Sequence, residues 1–237
     1  MNGHKIKIRL YHAPDELHTC LVYMEEHKAV LVDFGIEMVT SNNNKWVHNP
    51  NMLVIVAESL ENGDMLAGIR IQLQGGTQPL PIEIATGEKD PKIYDLIEKK
   101  AKEGITGEVC GLWNSRKYKG NGISRILITA STAVLNQFGV TSFFGLCDSS
   151  NVAVMQLYGG YDVETSIGNK GTFYYPKLDL LAYAIILKDP DTVKLARQDI
   201  KDTIFALRAK PEQRKVVQMN KRLLDLNYYL KLERKSI

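Results

Sequence analysis

A chain of 237 residues with 44% apolar and 24% charged residues is long enough for one large domain, or a domain with an appendage, that buries its own core. A net charge of +3 is too small to point to nucleic acid, and three cysteines (Cys20, Cys110, Cys147) without a CxxC pair argue against a disulfide scaffold and for a reducing compartment. The five histidines all fall within the first 48 residues with nothing to pair them, so no metal is expected, and no stretch reaches the roughly 18 apolar residues that cross a bilayer.

The opening MNGHKIKIRLY lacks the apolar run of a signal peptide, so a cytoplasmic location is expected. Ile6 to Leu10 alternate with basic residues and read as a strand. Pro14 to Leu31 read as a helix, opened by Pro14, Asp15 and Glu16, with Leu17, Leu21, Met24 and Lys28 on one stripe. An Asn-rich loop precedes two apolar runs, Met52 to Ala57 and Met65 to Leu73. Asn62-Gly63 between them marks a hairpin. A helix is expected from Pro91 to Glu103. Next come a strand from Glu108 to Asn114, a basic glycine loop to Gly122, and a helix from Ile123 to Phe138 closed by Gly139. Thr141 to Cys147 read as a strand, Asn151 to Tyr158 as a short helix stopped by Gly159-Gly160, and Leu180 to Leu187 as a late strand. Beyond Pro190 the chain reads as helical, in two segments broken before Pro211. Residues 189–237 carry 12 Lys/Arg against 7 Asp/Glu, so the basic excess sits in this tail. Its apolar stripes, Val193 to Leu207 and Val216 to Leu230, call for cover from the core or from a second subunit as a homodimer.

The chemistry concentrates in Arg116-Lys-Tyr-Lys-Gly-Asn-Gly122. A glycine loop between a strand and a helix lets backbone N–H groups converge on one point, where the helix starting at Ile123 adds its positive dipole end. Arg116, Lys117 and Lys119 add cations, and together these parts make a cradle for a pyrophosphate. The loop has no Walker Gly-Lys-Ser/Thr, and no GxGxxG follows a strand, which weakens a nucleotide-binding reading.

In context this segment resembles the GNAT superfamily of N-acyltransferases. That family's phosphate loop, Gln/Arg-x-x-Gly-x-Gly/Ala, follows a strand and opens a helix; here stands Lys117-Tyr-Lys-Gly120-Asn121-Gly122. Family members often carry a Glu early in the preceding strand, and Glu108 stands 12 residues before Gly120. Downstream, the family's Asn, Leu-Tyr, Gly and aromatic match Asn151, Leu157-Tyr158, Gly160 and Tyr161. Lys117 departs from the usual Gln or Arg, losing the fork of an arginine. Tyr161 follows Tyr158 sooner than in the pattern, and the connection from Gly75 to Gly107 is long. That last feature is similar to the acyl-homoserine-lactone and N-acyl amino acid synthases.

The resemblance implies an α/β fold. Its mixed, mostly antiparallel sheet would be flanked by helices over residues 1–188, with 189–237 as a helical C-terminal extension. It implies an N-acyltransferase moving an acyl group from acetyl-CoA or another acyl-CoA to a small-molecule or peptide amine, by direct transfer. Glu108 would be the base and Tyr158 the acid. Leu112, Trp113 and Asn114 would pair with pantetheine, Lys117, Lys119, Gly120, Asn121, Gly122 and Ile123 would hold the phosphates, and Asn151 would cap its helix and meet the pantetheine arm. A long-chain synthase fed by acyl carrier protein and a non-catalytic acyl-CoA-binding module are the alternatives. Read from its residues alone, Glu108 equally suits a solvent-facing strand edge, and Tyr158 a core aromatic. Cys147 lacks a His or Lys neighbour and reads as a small buried residue rather than an acyl acceptor. His48 reads as an exposed loop residue. The acceptor site is expected among residues 13–51 and 160–178.

Overall fold

The computed structural model describes residues 4–33, 44–175, 179–220 and 222–232. Part of each expected acceptor region, 34–43 and 176–178, therefore lies outside the described residues. The elements in chain order are β1 (His4–His12), α1 (Leu17–Asp33), β2 (Met52–Ser59), β3 (Met65–Leu73), α2 (Pro81–Thr86), α3 (Lys92–Glu103), β4 (Ile105–Asn114) and α4 (Ile123–Val134). They continue with β5 (Val140–Asp148), α5 (Val152–Gly159), β6 (Asp162–Val163), β7 (Thr172–Tyr175), β8 (Leu180–Leu187), α6 (Gln198–Ala209), β9 (Glu212–Met219) and β10 (Arg222–Tyr229).

The strands form one sheet in the order β6-β8-β5-β4-β3-β2-β1-β10-β9, with β7 also on β8. Two neighbouring pairs are parallel, β4 with β5 and β1 with β10; the others are antiparallel. On one face α4, α5 and α6 bury the largest cluster, which takes in Ile8, Ile55, Ile69, Val109, Leu127, Ile204 and Leu226. Strand side chains alternate between faces, so the opposite side of β4 carries different partners. There α1 covers Tyr11, Val54, Val56 and Trp113, while α2 and α3 cover Phe144, Ala184 and Ile186. The β2–β3 hairpin turns through Gly63 (φ +77°), as Asn62-Gly63 predicts.

Two expectations are corrected. Among the described residues the tail is α-helical only over Gln198–Ala209; residues 212–219 and 222–229 are an antiparallel hairpin. The sheet runs on through this tail, because β10 pairs with β1 from His4↔Leu224 to Arg9↔Tyr229. Alternation explains the strand. Leu224, Leu226 and Tyr228 point inward at a period of two, and buried Asp225 receives a two-pronged bond from Arg214 at 2.7 and 2.8 Å. The second correction concerns α1, whose buried face is Cys20, Tyr23 and His27, whereas Leu17 and Leu21 are exposed. Tyr23 and Trp46 make edge contacts at 5.6 Å, so aromatic packing chooses the face that a count of leucines misses.

Candidate active site

The centre of the sheet holds a fork. β4 and β5 pair in parallel from Ile105↔Val140 to Val109↔Gly145, after which β4 runs on to Asn114 and β5 to Asp148 without pairing to each other. A bulge on the β3 side turns β4 at this point. Cys110 faces Arg70 and Trp113 faces Gly68, so β4 uses one residue more than β3. Gly111 takes up the extra residue at φ +59°, and a Cβ there would stand 2.6 Å from the Arg70 Nε. Only glycine suits both demands. The Tyr23 hydroxyl donates to the Gly111 carbonyl, tying the bulge to α1. Among the described residues no strand pairs with the β5-side edge of β4 beyond Val109, which is where an extended amide chain can add.

The glycine loop follows. A 3-10 turn over Arg116–Tyr118 leads to Gly122 at φ +77°, the residue before α4, which as a glycine offers the helix no side-chain cap. First-turn N–H groups such as those of Ile123 and Ser124 have no carbonyl within the helix to bond, so they face outward as donors. The β9–β10 turn packs on this loop. Asn220 donates to the Gly120 carbonyl, and a Cβ at Gly122 would meet the Met219 Cε at 2.5 Å. Asn121 is buried within the loop, while Lys119 and Arg116 are exposed on it. Lys117, expected at the phosphates, instead reaches the β2–β3 turn, 3.7 Å from Asp64, with 78% of its side chain exposed. Such a pair contributes little stability.

At the end of β5, Asp148 organises the start of α5. It accepts from the Ser150 N–H (2.8 Å), the Ser150 hydroxyl and the Asn151 amide. Burial opposes its charge, yet these bonds hold its carboxyl below the usual range. Asn151 occupies the N-cap position, but its side chain bonds Asp148 and makes no capping bond to the helix. Half-buried Cys147 has its thiol pushed up to about 12, by burial first and then by Asp148.

The two expected catalytic side chains lie on opposite faces. Tyr158, on α5, has the Arg125 and Arg197 guanidinium carbons 5.3 and 5.2 Å from its ring centre. Glu108, next to the last paired residue of the fork, faces α2 and is 2% exposed. The Ile82 N–H, in the first turn of α2, donates to its Oε2 at 2.6 Å. Burial lifts the Glu108 carboxyl from 4.5 to about 8, against the opposing pull of the Ile82 bond. Of the remaining expected residues, Leu112 packs against the α4 cluster, Trp113 lies in the α1 cluster, and Asn114 donates to the Tyr118 carbonyl at 3.4 Å. His48 is exposed, as expected.

Sequence reasoning missed the surroundings of Glu108. Gln72, opposite it on β3, donates to the Gln78 and Pro79 carbonyls at 3.0 Å each and holds the loop that leads into α2. Arg70 is 1% exposed and lies 4.5 Å from the Trp46 ring centre. Tyr175 donates to the Ala85 carbonyl at 2.7 Å; burial, with the Glu108 charge second, raises its hydroxyl to about 12. An open cavity of about 330 Å³ lies along residues 74–80 and Glu83 on this side. Alternation from Glu108 along β4 and β3 would have placed Gln72 and Arg70 on this face; α2 carried no readable signal.

No family model matches the chain, and no curated protein matches it in sequence. Solved structures do match. FeeM, an N-acyl amino acid synthase from uncultured soil microbes, aligns with a TM-score of 0.62 at 13% identity over 81% of this chain and 96% of its own. BjaI, a CoA-dependent acyl-homoserine lactone synthase, aligns at 0.59 and 10% identity over 100% and 96%. An acyl-CoA N-acyltransferase from Pseudomonas aeruginosa aligns at 0.53 and 11% over 76% and 98%. This chain has the GNAT fold. The expected mixed, mostly antiparallel sheet flanked by helices is thus what the structure shows. Within the GNAT fold, the fork and the glycine loop belong to one continuous unit, β4–loop–α4–β5. Among the described residues no helix is long and apolar enough to cross a membrane.

Proposed function

We propose that the chain is an N-acyltransferase that takes an acyl group from acyl-CoA and passes it directly to an amine. The carrying observation is the fork beyond Val109 and Gly145, opening beside an uncapped helix start, with a buried carboxyl next to its last rung. The donor's phosphates would sit on the N–H groups at Gly122, Ile123 and Ser124, with Lys119 and Asn121 alongside. Its pantetheine amides would pair with the open edge of β4 over Leu112 to Asn114, and Asn151 would meet the arm from α5.

The acceptor nitrogen attacks the thioester carbonyl and gives up a proton, and Glu108 takes that proton directly or through one water. Its elevated affinity for a proton suits this work near pH 8. The thiolate leaves with a proton from Tyr158. Cys147, with a thiol that stays protonated, forms no acyl intermediate. The acceptor would enter on the α2 side, where the loop of residues 74–80 borders its open cavity. A longer acyl donor, from CoA or a carrier protein, is the second reading, favoured by likeness covering 96% of both FeeM and BjaI.

Thiol release from acetyl-, octanoyl- and palmitoyl-CoA against a panel of amines tests the proposal. Release that depends on the acceptor and disappears in Glu108→Gln supports it. Donor binding without release would favour a binding module, and no binding of any CoA ester would sink the CoA reading.

A further inference from the structure

A cavity of about 260 Å³ opens between α4, α5, α6 and the β9–β10 hairpin, on the face of the sheet away from Glu108. We propose that it binds a medium-chain carboxylate. Tyr158, proposed above as the acid, also lines the cavity, and Arg125 follows the proposed phosphate donor Ser124, so the cavity adjoins the transfer site; the inference itself rests on the cavity's own lining.

Two chemistries meet in the cavity. Its inner wall is apolar, made by Ile126 of α4, Ile200 of α6, Val217 and Met219 of β9 and Leu226 of β10. Ile126 and Leu226 are buried, and the other three are half-buried, so the wall deepens away from the mouth. Its polar side is cationic. Arg125, Arg197 and Lys215 line it against a single carboxylate, Asp199. Arg197 spends its charge on that Asp199 through bonds of 2.5 and 2.7 Å. Lys215 is held by the Thr203 hydroxyl at 2.9 Å, a neutral partner, and Arg125 lies over the Tyr158 ring. Among the described residues, no carboxylate is within ion-pair reach of Arg125 or Lys215.

An apolar wall with surplus positive charge at one side selects an amphipathic anion over either a hydrocarbon or a bare inorganic anion. At about 260 Å³, near the lower end of ligand pockets, the cavity suits a small amphiphile, and octanoate is the probe of that class. The carboxylate would lie between Arg125 and Lys215, with the chain on Val217 and Leu226.

Isothermal titration calorimetry of the full chain with octanoate, octanol and octylammonium tests the assignment. Octanoate should bind about tenfold more tightly than octanol, and Arg125→Gln should remove about that factor, since one charge-assisted bond is lost. Val217→Phe fills the chain end of the cavity from β9 and should abolish saturable binding. Ile200→Phe does the same from α6, on a different element, and serves if the strand variant misfolds. Equal affinity for octanol and octanoate, or octanoate binding that survives a folded filling variant, would overturn the proposal. The readout involves no acyl transfer, so its failure and that of the transferase reading are told apart.

Discussion

The two faces of β4 are built from different materials. Toward α4 and α5 the polar groups at the fork itself are backbone, the open edge beyond Val109 and the N–H groups at the start of α4, with Tyr158 and its arginines further out. On the opposite face they are side chains, Glu108 and Gln72 toward α2 and Arg70 toward α1, each almost fully buried and held by neighbours. A backbone site tolerates change in most of its side chains and is fixed by a few glycines. A side-chain site is fixed by individual residues, and its chemistry follows pH because burial shifts their proton affinity. Donor binding should therefore be robust to substitution, and catalysis fragile.

The largest expected effect is at Glu108. Glu108→Gln should lower kcat by about 10²–10⁴-fold, the usual contribution of a positioned base. Wild-type kcat/KM should rise with pH to a plateau above about 8, and the variant's profile should lack that step. Stability moves the other way. The native carboxyl holds its proton to about 8, while the unfolded one releases it near 4.5, so the native state binds more protons in between. Glu108 therefore contributes a loss of stability as pH rises from about 4.5 to 8. Melting curves of Glu108→Gln should lack that part of the decline. A variant with unchanged turnover would break the comparison at its strongest point.

Tyr158→Phe comes next, with a fall in kcat of about 10²-fold and an unchanged donor Kd. A fall in donor affinity instead would assign the ring to binding. Gly122→Ala should destabilise the fold by about 1–2 kcal/mol, because a left-handed backbone position becomes costly and Met219 must shift. Its donor Kd should rise more than that of any single lysine variant, as titration with CoA would show. Cys147→Ala should change kcat by less than about twofold, because its thiol is protonated at working pH. The smallest effect is expected from Lys117→Ala, whose side chain is turned to Asp64; a donor Kd within about twofold of wild type would confirm that the cradle is made of backbone.

The same contrast explains what the sequence made legible. Backbone sites demand glycine at fixed offsets, so Gly120 and Gly122 before Ile123 could be read directly, as could Asn62-Gly63. The α2 side has no such punctuation. Glu108 could be singled out, but its contact with Ile82 joins residues 26 apart through a helix of six residues with no strong pattern. The tail failed for another reason. Val216, Met219, Leu223, Leu226 and Leu230 satisfy a helical spacing, while Leu224, Leu226, Tyr228 and Leu230 satisfy a strand's period of two. Asn220, at φ +47°, marks the turn that separates the two strands, and a single Asn without a following Gly is a faint signal. In α1 the leucines stood out, yet the sheet buries Cys20, Tyr23 and His27.

The parallel pairing of β1 with β10 has a consequence for synthesis. β1 gains β2 soon after it is translated, but its other neighbour follows some 220 residues later, as His4↔Leu224 and Arg9↔Tyr229 show. At roughly 5–20 residues per second, that flank of the nascent sheet is uncovered for about 10–40 seconds. Contacts so distant along the chain also close slowly. The alternating Lys5, Lys7 and Arg9 along β1 put positive charge on this waiting strand, the kind of residue that discourages wrong edge pairing until β10 arrives.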